Sequence, residues 1–192
     1  MIALGFRVKS GYAVAVAVRG PASAPSAVAR RVVELHDPKV GATRQPYHAD
    51  LFTEETDAGA LDERVRIVRA CAQRAVAALL DGQPLAGERC RAALVVGSVI
   101  DPAQVANPHI RAHASEGRLF REALRDALEA HGVACDVVVE KQLAARAAAD
   151  LRRHGGEIKR IVARFGREVG GPWRADEKAA STAAWMLLPP DA

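Results

Sequence analysis

The segment Arg91-Ala92-Ala93-Leu94-Val95-Val96-Gly97 is a short, continuous apolar run. A run of this kind marks a strand buried on both faces, so it belongs in the middle of a sheet covered on both sides. Val133 to Glu140 repeats the pattern and reads as a second buried strand. Between them, Ile110 to His131 carries Phe120, Leu124, Ala127 and Leu128 on one side and stops at Gly132, which suits the position after a helix end. Strand, helix and strand in that order form a right-handed crossover between parallel strands.

The opening is built differently. Met1 to Phe6 and Gly11 to Arg19 are two β-branched, apolar-rich runs joined by Arg7-Val8-Lys9-Ser10, a hairpin with a polar connection. A Gly- and Pro-rich turn at residues 20–25 leads into Arg30 to His36 as a third strand, giving an antiparallel meander. From Pro38 to Phe52 neither period holds, so a long functional or mobile loop is expected. Thr56, or alternatively Thr53 or Asp57, caps the next helix, whose stripe is Leu61, Val65, Val68, Ala72, Val76 and Leu79, ending near Gly82. The C-terminal part is helical: Lys141 to Arg153, Glu157 to Val169, and, after Gly170-Gly171-Pro172, Asp176 to Leu188. The predicted order is β-β-β-α-β-α-β-α: an α/β fold with a five-stranded mixed sheet and helices on both faces.

With 192 residues the chain is long enough for one domain to bury a core without staples, so residues 1–192 are expected to form one. Hydrophobic residues at 49% and charged residues at 26% exclude disorder and a membrane span. The N-terminal apolar run resembles a signal peptide, but Arg7 and Lys9 interrupt it and no basic segment precedes it, so we expect it to stay in the mature protein and the protein to be cytoplasmic. Cys71, Cys90 and Cys135 fall in no CxxC spacing, so the sequence predicts three buried, reduced thiols. The net charge of +4 permits an acidic partner. Its weight is reduced because the excess of arginine over lysine, with abundant alanine, is a pattern that a GC-rich bacterial genome produces.

Three stretches carry a resemblance. Glu140-Lys141-Gln142-Leu143-Ala144-Ala145-Arg146, Glu157-Ile158-Lys159-Arg160-Ile161-Val162 and Arg174-Ala175-Asp176-Glu177-Lys178-Ala179-Ala180, with the Gly11-Tyr12 pair, resemble the RuvC-type Holliday junction resolvases of the ribonuclease H-like superfamily. The resemblance implies a ribonuclease H-like fold and two-metal phosphodiester hydrolysis, in which clustered carboxylates hold Mg²⁺ ions. It also implies an Asp in the first strand, where Ala3-Leu4-Gly5-Phe6 offers none, and a Glu at the end of the fourth, where Gly97 and Ser98 stand. Two Asp residues three apart should enter the last helix, yet Asp176 is followed at that spacing by Ala179. Most catalytic carboxylates are missing.

In this topology the C-terminal ends of four strands share one rim, where open α/β sheets place ligands. There the sequence collects Arg7, Lys9, Ser10, His36, Asp37, Tyr47, His48, Asp50, Ser98, Asp101 and Glu140. His36, His48, Asp50, Asp101 and Glu140 are suitable types for one divalent ion, but His48-Ala49-Asp50 is too common a spacing to specify one. Asp101 before Pro102 also reads as a turn former, and Glu140 suits the positive end of the helix it introduces. Arg153, Arg160, Arg164 and Arg167 fall opposite the apolar stripe of the penultimate helix; with Arg7 they are the candidate nucleic-acid contacts, although no aromatic residue interleaves them and a solvated helix face is the simpler reading. Trp173 and Trp185 read as packing residues.

The leading expectation is a non-catalytic, pseudo-nuclease module without a cofactor, binding nucleic acid or a protein partner, or forming a homodimer, with no membrane. The alternative is a metal-dependent phosphodiester hydrolase using Mg²⁺ or Mn²⁺ at a site rebuilt from His48, Asp101, Glu140 and Asp176. An actin-like ATPase lobe shares the sheet order, but such enzymes clamp nucleotide between two lobes and no Gly-rich phosphate loop is present.

Overall fold

The computed structural model describes residues 1–50 and 53–190. Strands β1 (Ile2–Lys9), β2 (Tyr12–Arg19) and β3 (Ser26–Glu34) form the meander. Next come β4 (His48–Asp50), β5 (Thr53–Glu54), α1 (Ala58–Asp81), β6 (Cys90–Val96), α2 (Pro108–Ala130) and β7 (Ala134–Val139). Three helices close the order: α3 (Glu140–Asp150), α4 (Gly155–Val169) and α5 (Ala175–Met186). The main sheet runs β3-β2-β1-β6-β7. β2 is antiparallel to both its neighbours, and β1, β6 and β7 are mutually parallel, so the ends of β3, β1, β6 and β7 meet at one rim as the topology requires.

The period-two register of β1 divides the core. Ile2, Leu4, Phe6 and Val8 pack into one layer with Val68 and Val76 of α1 and Leu119, Phe120 and Leu124 of α2. Ala3 points into the other layer, with Ile158, Val162 and Phe165 of α4 and Ala180, Ala184 and Trp185 of α5. Gly5 lies between Ala3 and Arg7 on that second face, and a Cβ there would stand 1.8 Å from the Ala180 carbonyl oxygen. Only glycine lets the α5 backbone approach β1 this closely. That approach sets the position of the α5 N-terminus over the end of β1.

Several boundaries differ from the sequence reading. β3 begins at Ser26 and ends at Glu34, rather than spanning Arg30 to His36. Ala27 and Ala29 carry little strand propensity, yet both are buried against the sheet, which overrides it. Asp57 is the cap of α1, its side chain accepting from the Ala60 N–H at 2.8 Å. α2 starts at Pro108, because Asn107 accepts from the Ile110 N–H at 3.1 Å and proline suits the first helical position. α3 stops at Asp150, and Arg152 follows in the left-handed region at φ 51°. α5 ends at Met186.

The segment expected as a loop from Pro38 to Phe52 is built rather than free. It holds a 3-10 turn at Gly41–Arg44 and the strand β4, which pairs with β5; Phe52 itself lies outside the described residues. The arginines of two helices clamp this small hairpin. Arg64 of α1 donates to the carbonyls of Pro46 at 2.9 Å and His48 at 3.2 Å, and to Glu55 at 2.8 Å. Arg111 of α2 forks onto both oxygens of Glu54 at 3.0 and 2.6 Å. Such bonds to side chains far along the chain leave no trace in hydrophobic periodicity.

Of the three free cysteines Cys71 is buried, while Cys90 and Cys135 are half-buried, less than the sequence suggested. Burial pushes all three thiols up, Cys135 to about 12. No helix among the described residues is long and apolar enough to cross a membrane.

Candidate functional site

Two polar clusters stand at the rim where the parallel strands end. The first lies on the α5 face and is centred on Arg7, the last inward-facing residue of β1 on that side. Its guanidinium is buried, with 6% of the side chain exposed. Nη1 donates to the Val8 carbonyl at 2.9 Å and to the Val95 carbonyl of β6 at 3.3 Å, while Nη2 donates to Glu140 Oε2 at 2.5 Å. Arg7 Nε lies 3.8 Å from Asp176 Oδ1, and Lys9 Nζ reaches the same oxygen at 3.3 Å.

Helix geometry explains where the two acids stand. Glu140 is the first residue of α3, and Asp176 lies in the first turn of α5. Both carboxylates therefore sit at the positive ends of helices, where a negative charge is favourably placed. Each is also paired with a cation. By formal count the two acids are balanced by Arg7 and Lys9.

The second cluster lies on the α2 face. His48 enters from β4, and His109 and His113 are one turn apart on α2. The ring centroids of His48 stand 5.3 Å from His109 and 4.6 Å from His113, and those of His109 and His113 are 4.5 Å apart. Glu116, one turn further along α2 and fully buried, holds His48 Nδ1 at 2.7 Å. Its other oxygen is 3.7 Å from His113 Nδ1. Burial pushes the Glu116 carboxyl up, against the pull of the His48 hydrogen bond. His113 is lowered, first by burial and then by the charges its two neighbouring imidazoles can carry, which favours the neutral ring.

A cavity of about 240 Å³ separates the clusters, lined by Arg7, Lys9, Ser10, Gly97, Ser98 and His113 among others. Gly97 and Ser98, where the resemblance implies a Glu, offer no carboxylate to it.

The four candidates for a rebuilt site are thus divided. Glu140 and Asp176 share Arg7, and His48 belongs to the histidine cluster. Asp101 caps the 3-10 turn Pro102–Gln104, accepting from the Ala103 N–H at 3.1 Å, and its Oδ1 lies 3.9 Å from Arg118. It lines a different cavity, with Tyr47, Arg69 and Glu122. His36 contacts the Gly11 carbonyl at 3.0 Å, and Asp37 accepts from the Lys39 N–H at 2.9 Å, both turn contacts.

The arginine strip is only partly a strip. Arg153 precedes α4, is paired with Glu157 and lies over the Trp185 ring at 5.7 Å. Arg164 is held by Glu168 at 3.0 Å and by the Pro25 carbonyl at 2.5 Å. Arg160 and Arg167 are exposed. Both tryptophans pack, Trp185 fully buried and donating to the Ala22 carbonyl at 2.9 Å, and Trp173 donating to the Val162 carbonyl at 2.9 Å.

The sheet order β3-β2-β1-β6-β7, with β2 reversed and helices on both faces, is the ribonuclease H-like arrangement, and solved structures carry the same fold. RuvC of Thermus thermophilus aligns over 97% of this chain and 92% of its own, with 14% identity and a TM-score of 0.54. The same protein in complex with a Holliday junction substrate aligns over 97% and 91%, with 14% identity and a TM-score of 0.54. At this identity the likeness establishes the fold. No family model matches the sequence, and no curated protein matches it either.

Proposed function

We propose that the chain is one RuvC-like domain that binds nucleic acid and does not cleave it. The observation that carries this reading is the Arg7 guanidinium beside Glu140 and Asp176, at 2.5 and 3.8 Å. Mg²⁺ requires oxygen ligands in near-octahedral array, and a two-metal site needs enough carboxylates to offset four positive charges. Here the two acids are already neutralised by cations of the chain itself, and a fixed guanidinium repels a dication from the same spot. The guanidinium does the electrostatic work that metal ions do in a catalytic rim, and it cannot activate water.

Nucleic acid as the ligand is supported by the net charge of +4, by exposed Arg160 and Arg167 on the outer face of α4, and by the fold likeness to a protein solved with a Holliday junction substrate. Arg7 itself contributes charge compensation inside the rim: its Nη donors go to Val8, Val95 and Glu140, and its buried Nε, without a hydrogen-bond partner among the described residues, faces Asp176 at 3.8 Å.

Fluorescence anisotropy with a four-way junction and a linear duplex, over about 50 to 200 mM salt, tests the reading. Affinity should fall linearly on a log–log plot, and Arg160→Glu with Arg167→Glu should reduce both affinity and slope. No binding at the lowest salt rejects nucleic acid as ligand. Cleavage in Mg²⁺ or Mn²⁺ that disappears in Glu140→Gln rejects the non-catalytic assignment.

A further inference from the structure

We propose that His48, His109 and His113 form a binding site for one divalent transition-metal ion, with Zn²⁺ the leading occupant, and that Glu116 orients the His48 imidazole from behind. The site is distinct from the Arg7 cluster and does not depend on the nucleic-acid reading.

Three observations carry it. First, one ligand atom from each histidine can be chosen so that all lie within 4.8 Å of one another. Around a tetrahedral zinc with Zn–N near 2.0–2.1 Å, ligand nitrogens stand roughly 3.4 Å apart. His109 Nε2 and His113 Nε2 are already 3.2 Å apart, so only His48 and small rotations of the α2 rings are needed to close the set.

Second, the carboxylate is on the correct side of the rings. Glu116 Oε1 takes His48 Nδ1 at 2.7 Å, and Oε2 faces His113 Nδ1 at 3.7 Å. A carboxylate behind an imidazole fixes the tautomer with the proton on Nδ1 and leaves the Nε2 lone pair facing forward, the arrangement that supports metal-bound histidines.

Third, His48 Nε2 is buried and has no hydrogen-bond partner among the described residues. A buried polar atom without a partner costs about 1–3 kcal/mol, and an ion at the centre of the three rings would satisfy it.

The ligand set also selects the ion. Three imidazoles suit Zn²⁺, Ni²⁺ or Cu²⁺ and offer no oxygen ligand for Mg²⁺. His113 is about half exposed, at 48%, so a water completes the tetrahedron from the solvent side. Binding would pin the β4–β5 hairpin to α2 through His48, in addition to the Arg111–Glu54 fork.

Calorimetry and Co²⁺ absorption on the untagged, chelator-stripped full chain test the proposal. One Zn²⁺ per chain is expected, with a tetrahedral Co²⁺ spectrum and no heat from Mg²⁺. His113→Ala and His109→Ala, at partly exposed positions on α2 where circular dichroism should stay unchanged, are each expected to weaken Zn²⁺ affinity at least tenfold. Glu116→Gln should weaken it roughly 10- to 100-fold. A chain that binds neither Zn²⁺ nor Co²⁺ at millimolar metal overturns the proposal, as does undiminished affinity in both alanine variants.

Discussion

The two clusters at the rim solve one problem in opposite ways. On the α5 face, the acids Glu140 and Asp176 meet cations supplied by β1, and every group there has a charged partner. On the α2 face, three imidazoles and a buried acid converge; His48 Nε2, without a hydrogen-bond partner among the described residues, can offer a lone pair to an ion, whereas Arg7 Nε, likewise buried without one on the α5 face, can only donate. One face is closed by the chain's own charge and the other presents ligand atoms. Similar sheet edges can thus be stable with or without a cation from solution, depending on whether the strand beneath ends in Arg or the helix beside it carries His.

Substitutions that break one face and spare the other sharpen this contrast. The largest effect is expected from Gly5→Ala, because the added methyl overlaps the Ala180 carbonyl and must push α5 off β1. A loss of about 3 kcal/mol in chemical denaturation is the expected outcome. An unchanged midpoint would show that the contact between β1 and α5 is not as tight as described.

Arg7→Ala should cost about 2 kcal/mol by the same measurement. Removing one partner of a fully buried pair costs more, but Glu140 is half exposed and solvent takes up part of the loss. The variant keeps the histidine cluster intact, so the metal response of the α2 face should survive it.

Acid should weaken both faces to a smaller degree. Burial raises the Glu177 carboxyl, but hydrogen bonds from Arg30 and from the Arg174 N–H outweigh it and hold it below the ordinary range. The fork from Arg111 lowers Glu54 likewise. A folded-state value below the unfolded one means stability that is complete above the ordinary carboxyl value of 4.5 and lost as pH falls through the lower, folded value. Urea midpoints should therefore drop below about pH 4.5, less steeply in Glu177→Gln and in Glu54→Gln, where one linked group is gone.

The smallest effect serves as the control. With its thiol pushed up to about 12, Cys135 should react with a disulfide reagent at pH 8 far more slowly than in urea. If either rim variant accelerates that reaction, it has loosened the sheet as a whole and the comparison between faces no longer holds.

Much of the fold was legible because its signals are local. The central apolar run became the buried strand β6, while the second became β7, an edge strand that is mostly half-buried or exposed rather than covered on both faces. The opening hairpin became β1 and β2, with Arg7, Val8 and Lys9 inside β1 rather than in the connection, and five helices fell within a few residues of their periodic stripes. The candidate site was legible only in part. His48, Glu140, Asp176 and Arg7 were visible as rim residues, but their grouping was not. His109 and His113, with Glu116 one turn on, carry an i, i+4 and i+3 spacing on one helix face that could have been noticed. His48, which completes the set, is 68 residues from the glutamate it touches.

What the sequence determined alone is the list of elements and their order, because helix and strand periods follow from hydrogen bonds between near neighbours and from which side chains avoid water. Tertiary structure decided which charges meet. Arg7 and Glu140 are 133 positions apart, and their contact depends on the β1–β6 register and on the start of α3, as the Asp176 contact depends on the space that Gly5 leaves for α5. Periodicity places a side chain on a face. The packing of one element against another determines what that face meets, and there a guanidinium came to rest between two acids while three imidazoles gathered around a point.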